Sequence, residues 1–212
     1  MQMQIEEQLK IIEDLVKKLN DRLAVPYIWE KTKDPFWALI ATVLSIRTRE
    51  EQTIRASLNL YNKYKDYKNL AKAPIEEIED LIKNVGLYKQ KAKWIKTIAQ
   101  RWDYNKKCDE SFIRNLPGVG RKVGNVYLNL VCNKPYIAVD VHVHRIANRL
   151  GWVKTKTPEE TEKQLYKIIP KEYWPKLNHM LVLFGRNICL PSKPKCDICP
   201  LDCPYKYNKN KP

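Results

Sequence analysis

Apolar residues recur at steps of three and four along most of the chain, which is the spacing of an amphipathic helix. Ile5, Leu9 and Ile12 begin one such stripe near the N-terminus. Comparable stripes occupy five further segments: 54–61, 75–85, 92–102, 157–169 and 175–186. Because no segment alternates convincingly with a period of two, the pattern predicts an all-α fold of about ten helices with short connections.

Three groups of residues predict where helices begin or end. Asp34 followed by Pro35 is typical of an N-cap and the first helical residue. Thr157 and Glu160 have the spacing of a capping box and predict a second helix start. Gly86 follows the 75–85 stripe and is expected to stop that helix.

The composition indicates a folded, basic protein. Of its 212 residues, 44% are hydrophobic, which is enough for a sizeable core and excludes intrinsic disorder. Lysine and arginine outnumber aspartate and glutamate by 39 to 24, which gives a formal net charge of +15. This excess favours a polyanionic partner, most commonly nucleic acid. A lysine-rich solvated surface, typical of a thermophile or of a biased genome, explains the same charge.

Hydropathy gives no indication of a membrane span or an export signal. The longest apolar stretch, residues 36–46, is too short to cross a bilayer, and the N-terminal residues contain no apolar run suited to a signal peptide. We therefore expect an intracellular, cytoplasmic protein, in which cysteines serve as ligands or catalysts more often than in disulfides. Cys108 and Cys132 are far from the other cysteines in sequence, and each is expected to be a buried small apolar residue.

Three of the six glycines fall within one short segment, at Gly118, Gly120 and Gly124. The segment predicts a short helix that ends near Leu116, a tight turn, and a new helix that begins near Gly120. Backbone N–H groups at such a helix start can approach a phosphate oxygen closely. This arrangement is typical of a helix-hairpin-helix element that grips a DNA backbone without reading its sequence, although a plain corner between two helices gives a similar pattern.

Four cysteines fall within fifteen residues near the C-terminus: Cys189, Cys196, Cys199 and Cys203. Four thiolates on a short irregular loop can close around zinc or around a [4Fe–4S] cluster. Structural zinc sites more often use two CxxC pairs, and only one such pair is present here. The spacing, interleaved with prolines, therefore favours [4Fe–4S] as the cofactor.

Two lysines, Lys193 and Lys195, lie between the first two of these cysteines. A loop held rigid by a metal cluster presents cations at fixed positions, so both lysines are candidates for contact with a second stretch of DNA backbone. The alternative is that they are ordinary exposed lysines.

The string Leu116–Asn125, the later string Ala138–His142 and the four-cysteine tail together resemble the endonuclease III family. This family comprises bifunctional DNA glycosylase/AP lyases of the helix-hairpin-helix–Gly-Pro-Asp superfamily. The resemblance extends over nearly the whole chain, from the Asp34-Pro35-Phe36 segment to Cys203.

The resemblance implies two helical lobes that flank a cleft. A six-helix barrel with the hairpin is expected over residues 27–135, and an iron–sulfur cluster domain over residues 1–26 and 136–212. The family also flips a damaged base out of the duplex into the cleft. The implied partner is double-stranded DNA with a damaged base or an abasic site, and we expect a monomer with no membrane association.

The catalytic residues are carried over from the family motifs. Lys122 matches the nucleophilic lysine and Asp140 matches the catalytic aspartate, eighteen residues later. Mismatch-specific relatives carry a different residue, such as tyrosine or serine, at the lysine position. Lys122 therefore favours the bifunctional branch, in which an amine attacks C1′ and forms a Schiff base.

Four further residues are expected to contact DNA. Arg47 stands where the family usually has a glutamine that fills the gap left by the flipped base, and Leu87 matches a second, apolar wedge. His142 matches a histidine near the active site, and Arg121 is expected to meet phosphate near the hairpin. The substitution at Arg47 leaves the preference for the opposite base open. Arg47 as a surface arginine and His142 as a hydrogen-bonded histidine at a helix start are the plainer alternatives.

A second departure from the family concerns the last cysteine. Three residues separate Cys199 from Cys203, whereas five are typical of the family. Taken together, the motifs predict a base excision repair enzyme that removes oxidised pyrimidines and cleaves the abasic product by β-elimination. The alternatives are a mismatch-specific uracil or thymine glycosylase and a non-catalytic iron–sulfur module that binds DNA.

Overall fold

The computed structural model describes residues 3–208 of the chain, and within this range all regular structure is helical. Thirteen α-helices and two short 3₁₀-helices are present there, so the expected all-α class is confirmed and the expected count of helices is too low. The chain forms two compact units, residues 22–134 and residues 1–21 with 135–212. In residues 3–208, no helix is long and apolar enough to cross a membrane.

The unit of residues 22–134 holds eight α-helices: α2 Ala24–Thr32, α3 Pro35–Leu44, α4 Glu50–Tyr64, α5 Tyr67–Lys72, α6 Ile75–Ile82, α7 Tyr88–Arg101, α8 Glu110–Arg114 and α9 Arg121–Cys132. A 3₁₀-helix, Tyr104–Lys106, precedes α8. Helix α3 lies at the centre of the unit, because every residue from Phe36 to Leu44 is buried. Helices α2, α4, α7 and α9 pack around it, as expected for a helix that is apolar on all sides.

The other unit combines α1 Ile5–Lys17 with α10 Val141–Arg149, α11 Pro158–Ile168, α12 Trp174–Asn187 and α13 Pro204–Asn208, and with a 3₁₀-helix, Lys171–Tyr173. Helix α12 packs against both α1 and α10. The buried side chain of Gln8 ties the N-terminal helix to the later segments. Its Oε1 accepts a hydrogen bond from Trp152 Nε1 at 2.6 Å, and its Nε2 donates to the Asp202 carbonyl at 2.9 Å.

Two of the predicted helix starts are confirmed. Asp34 caps α3 by accepting a hydrogen bond from the Phe36 amide at 2.9 Å. Thr157 caps α11 by accepting from the Glu160 amide at 3.2 Å. The return bond of the capping box is shifted by one residue, since the Glu160 carboxylate accepts from the Lys156 amide.

The expectation that Gly86 stops a helix is wrong. Helix α6 ends at Ile82, four residues earlier. A Cβ added at Gly86 would lie 2.7 Å from the Arg47 carbonyl oxygen, so a glycine is needed there for a close approach between two loops.

The expectation for Cys108 and Cys132 is also wrong. The two cysteines form a disulfide, with their Cα atoms 5.7 Å apart, and both residues are half-buried. Helix α9 ends beside the 107–109 turn, where Tyr127 Oη also donates to the Lys107 carbonyl at 2.8 Å. The pairing depends on this tertiary approach across 24 residues, which the sequence pattern does not show.

Candidate functional site

The predicted turn between α8 and α9 is confirmed. Its two glycines, Gly118 and Gly120, have different structural roles. Gly118 has a left-handed φ of 77°, and a Cβ added there would lie 2.7 Å from the Trp94 ring. Gly120 occupies the N-cap position of α9, and a Cβ added there would meet nothing within 4 Å. The turn therefore requires a glycine at 118, whereas at 120 the glycine leaves the start of α9 open for a ligand.

The start of α9 offers backbone donors at this open position. The first N–H groups of a helix have no acceptor within the helix, and the helix dipole adds a partial positive charge. The side chains of Arg121 and Lys122 are exposed in this first turn. Together these groups form a site that suits a phosphate.

Arg114 holds the first turn of α9 in place by hydrogen bonds, and no sequence motif predicts this role. Its guanidinium donates to the Asn125 side chain at 2.7 Å and to the Arg121 carbonyl at 3.4 Å, and it pairs with Glu110 at 2.9 Å. Gly124 makes room for this contact, since a Cβ there would lie 2.6 Å from the Arg114 side chain. A glycine inside a helix was the only sequence signal for such a close approach.

Asp140 is the N-cap residue of α10, as predicted, and lies in the unit of residues 1–21 and 135–212. Its carboxylate caps the helix by accepting a hydrogen bond from the Val143 amide at 2.9 Å, and the residue is half-buried. The cap fixes the carboxylate at the helix start, while its remaining acceptor positions are available to other chemistry. The neighbouring Val141 is 69% exposed, which is unusual for an apolar side chain.

His142 is held by hydrogen bonds that lead toward the cysteine loop. Arg145 Nη2 lies 3.1 Å from His142 Nδ1 and also donates to the Cys189 carbonyl at 2.9 Å. Because a guanidinium only donates, Nδ1 acts as the acceptor and the imidazole proton lies on Nε2. Gly185 makes this packing possible, since a Cβ there would lie within 3 Å of both side chains.

The four clustered cysteines line one cavity. The loop is fastened by Arg149, which donates to Cys189 Sγ at 3.4 Å and to the Leu190 and Pro191 carbonyls at 2.7 Å. Cys203 Sγ donates to the Arg149 carbonyl at 3.1 Å, so the shortened spacing still brings this cysteine to the cavity.

The cavity is lined by four thiol groups, which can act as metal ligands. In residues 3–208, no three Cys, His, Asp or Glu side chains are arranged to hold one ion. Burial raises the pKa of the Cys199 thiol, and the other three clustered cysteines raise it further. Four cysteine thiolates are the ligand set of a [4Fe–4S] cluster. The donor set therefore fits an iron–sulfur cluster.

Arg47 and Leu87 lie in two loops, and each adopts a backbone conformation that is uncommon for a residue other than glycine. Arg47 follows α3 with a φ of 49°, and Leu87 precedes α7 with a φ of 58°, both in the left-handed region. Arg47 is exposed and Leu87 is 50% exposed.

The two lysines of the cysteine loop are also exposed. Lys193 has a left-handed φ of 51°, and Lys195 lies next to Cys196.

The helix-hairpin-helix element within an all-helical fold defines a class of DNA repair proteins. The family model of the HhH-GPD superfamily base excision DNA repair proteins matches residues 40–171. Endonuclease III of Thermotoga maritima is 46% identical over 193 residues, which cover 89% of each chain. The chain therefore belongs to the endonuclease III family, and it is a base excision repair enzyme with DNA glycosylase and AP lyase activity.

Solved structures agree with this placement. A trapped endonuclease III–DNA covalent intermediate is similar with a TM-score of 0.78 and 32% identity, covering 99% of this chain and 100% of that one. A thermostable thymine-DNA glycosylase is similar with a TM-score of 0.82 and 25% identity, covering 96% of both chains. Members of the endonuclease III family generally contain an iron–sulfur cluster.

Proposed function

We propose that this enzyme removes oxidised pyrimidines from duplex DNA and cleaves the resulting abasic site by β-elimination, with Lys122 as nucleophile and Asp140 as the catalytic carboxylate. The observation that carries the proposal is the position of Lys122, exposed in the first turn of α9 and directly after the open turn at Gly120. A phosphate bound at this helix start would bring a deoxyribose close to the amine.

Each residue would have a defined part in the reaction. Breaking the N-glycosidic bond builds positive charge on the deoxyribose, which the Asp140 carboxylate would stabilise while the base leaves with the bonding electrons. The Lys122 amine would form a bond to C1′, and its nitrogen lone pair would then expel the ring oxygen, which opens the sugar to an imine. Removal of a C2′ proton would finally expel the 3′ phosphate, which cleaves the strand.

Arg47 and Leu87 are proposed to fill the gap that remains in the duplex when the damaged base is flipped out. Both side chains are exposed on loops, and an inserted side chain must replace the stacking that the flipped base loses. Arginine donates hydrogen bonds and accepts none, so Arg47 would favour orphaned bases that present acceptors. We include Gly118, Gly120, Arg121 and His142 in the proposed DNA contacts, and we propose that one monomer acts on DNA in the cytoplasm.

Cys189, Cys196, Cys199 and Cys203 are proposed to hold a [4Fe–4S] cluster, which would fix the loop so that Lys193 and Lys195 meet the DNA backbone. The fit of four thiols around one cavity supports this assignment. Anaerobically purified protein should contain about four irons and four labile sulfides per chain. A protein with one zinc and no labile sulfide would contradict the cluster.

The catalytic proposal is tested by Lys122→Gln, because this variant removes only the amine. Borohydride should trap a covalent adduct between the wild-type enzyme and abasic DNA, and the variant should form none. Lys68→Gln is a matched control, since Lys68 is also exposed at the second position of a helix, α5. A trapped adduct at the wild-type rate in Lys122→Gln would show that another amine is the nucleophile.

A mismatch-specific glycosylase is the second candidate, because the thymine-DNA glycosylase structure has a TM-score of 0.82 to this chain. Excision would be compared on duplexes with an oxidised pyrimidine opposite each of the four bases and on duplexes with thymine or uracil opposite guanine. Preference for the mismatches would favour this second candidate over the oxidised-pyrimidine proposal.

A further inference from the structure

Lys91 is a fully buried lysine that the catalytic proposal does not use. It lies in the first turn of α7, and its Nζ donates to the Leu44 carbonyl at 2.8 Å, to Thr48 Oγ1 at 2.9 Å and to the Ile46 carbonyl. These three acceptors match the three N–H bonds of an ammonium group. A buried lysine with a complete set of acceptors is a specific polar anchor, because an apolar side chain of similar size would remove one hydrogen bond from each of the three oxygens.

The three acceptors surround the backbone of Arg47. The Leu44 carbonyl belongs to the last turn of α3, where carbonyls lack partners within the helix. Ile46 and Thr48 are the two residues that flank Arg47. A bulky residue with a φ of 49° is disfavoured by itself and persists only where its surroundings fix it. By holding both neighbours, Lys91 fixes the left-handed conformation that exposes Arg47.

The same lysine is bonded to the second loop. Its backbone amide makes the first hydrogen bond of α7 by donating to the carbonyl of the N-cap residue Leu87 at 2.9 Å. The Gly86 amide donates to Thr48 Oγ1 at 3.1 Å, which is the hydroxyl that Lys91 Nζ also contacts. The two loops are therefore linked through the Gly86 amide, the Thr48 hydroxyl and the Lys91 ammonium group, and a Cβ at Gly86 would not fit between them.

We infer that Lys91 is a positioning residue that couples the Arg47 and Leu87 loops, so that both side chains enter the duplex as one rigid unit. This inference rests on the proposed function, because it takes Arg47 and Leu87 as the residues that replace the flipped base. Lys91 itself is buried, so we do not count it among the proposed DNA contacts. Its loss leaves the chemistry of Lys122 intact and removes the three hydrogen bonds that hold residues 44–48 against α7, so that the direct contact between Gly86 and Thr48 alone no longer keeps the two loops rigid.

The test uses Lys91→Met, with Lys93→Met as the matched control, since Lys93 is exposed on the same helix. A duplex carries an oxidised pyrimidine opposite 2-aminopurine, whose fluorescence rises when the base loses its stacking. The wild type and Lys93→Met should raise the fluorescence and excise the lesion. Lys91→Met should lose the fluorescence rise and excise at least about tenfold more slowly.

Borohydride trapping on a single-stranded abasic site separates this inference from the proposed function. That substrate has no complementary strand and therefore no gap in a duplex for the two loops to fill. Lys91→Met should accordingly form the adduct within about twofold of the wild-type rate. If wild-type protein forms no adduct, the proposed function fails. If wild-type protein forms the adduct and Lys91→Met retains the full fluorescence rise, the role assigned to Lys91 is overturned.

Thr48→Val provides a second variant in case Lys91→Met does not fold. It removes the hydroxyl that Lys91 Nζ and the Gly86 amide share, and it nearly preserves the volume of the side chain. We expect the same loss of the fluorescence rise with an intact single-stranded adduct. An unchanged fluorescence rise in Thr48→Val would by itself overturn the coupling of the two loops.

Discussion

Two regions of the molecule contain residues in the left-handed conformation, but with opposite kinds of residue. One is the hairpin at 115–120, and the other is the pair of loops at Arg47 and Leu87. Each contains left-handed residues next to a surface that we propose binds DNA. The hairpin uses a glycine, Gly118, with a φ of 77°. The two loops use an arginine and a leucine with φ values of 49° and 58°.

The difference follows from what each region presents to the ligand. A hairpin that binds phosphate presents backbone N–H groups, so side chains are best absent and glycine relieves the strain locally. Loops that fill a duplex must present large side chains, so the strain remains and tertiary contacts have to offset it. Lys91, from a helix more than forty residues beyond Arg47, supplies those contacts.

The largest expected effect distinguishes the two glycines of the hairpin. Gly118→Ser should lower the free energy of unfolding by about 3 kcal/mol, because it forces a side chain into a left-handed residue and against Trp94. Gly120→Ser should change stability by less than about 0.5 kcal/mol, because serine is a favourable N-cap and the space is open.

Chemical denaturation measures both stabilities, and titration with undamaged duplex measures DNA affinity. Gly120→Ser should weaken binding at every sequence tested, since the hairpin positions the backbone. Equal stability losses in the two variants would show that residue 120 is also a structural turn position. Unchanged affinity in Gly120→Ser would remove the hairpin from the DNA contacts.

The two regions also differ in how far the sequence predicts them. The hairpin turn, the caps at Asp34 and Asp140 and the grouping of the four cysteines depend on residues close in sequence, so local patterns revealed them. The disulfide, the Arg114 brace and the Lys91 anchor depend on tertiary approach. Gly86 illustrates the limit: its local context predicted a helix end, while its close contact is with the Arg47 carbonyl.

The buried amine of Lys91 also makes stability depend on pH, which shows whether the Arg47 loop depends on a charged anchor. Burial lowers the pKa of Lys91 to about 8, against 10.5 for a free side chain. Between these values the unfolded chain binds a proton that the folded chain has lost, so the free energy of unfolding should rise with pH. From pH 7 to pH 9.5 the wild type should gain about 2 kcal/mol relative to Lys91→Met.

Denaturant titrations of the wild type and Lys91→Met at several pH values measure this difference, and other titrating groups cancel in it. The same rise in pH removes one of the three N–H donors of Lys91, so the fluorescence rise with 2-aminopurine should weaken as the protein gains stability. A difference in stability that stays constant over this pH range would contradict a lowered pKa for Lys91.

The smallest expected effect tests whether strain is retained in the loops for the sake of function. Arg47→Gly should raise the free energy of unfolding by about 0.5 kcal/mol, because relief of the left-handed strain slightly exceeds the added entropy of the unfolded chain. Arg55→Gly is the control with the opposite sign: Arg55 is exposed inside α4, where glycine should cost about 1 kcal/mol. Excision from a duplex should fall in Arg47→Gly and stay unchanged in Arg55→Gly. A loss of stability in Arg47→Gly would mean that the arginine side chain itself stabilises its loop, and the contrast with the hairpin would then rest on Leu87 alone.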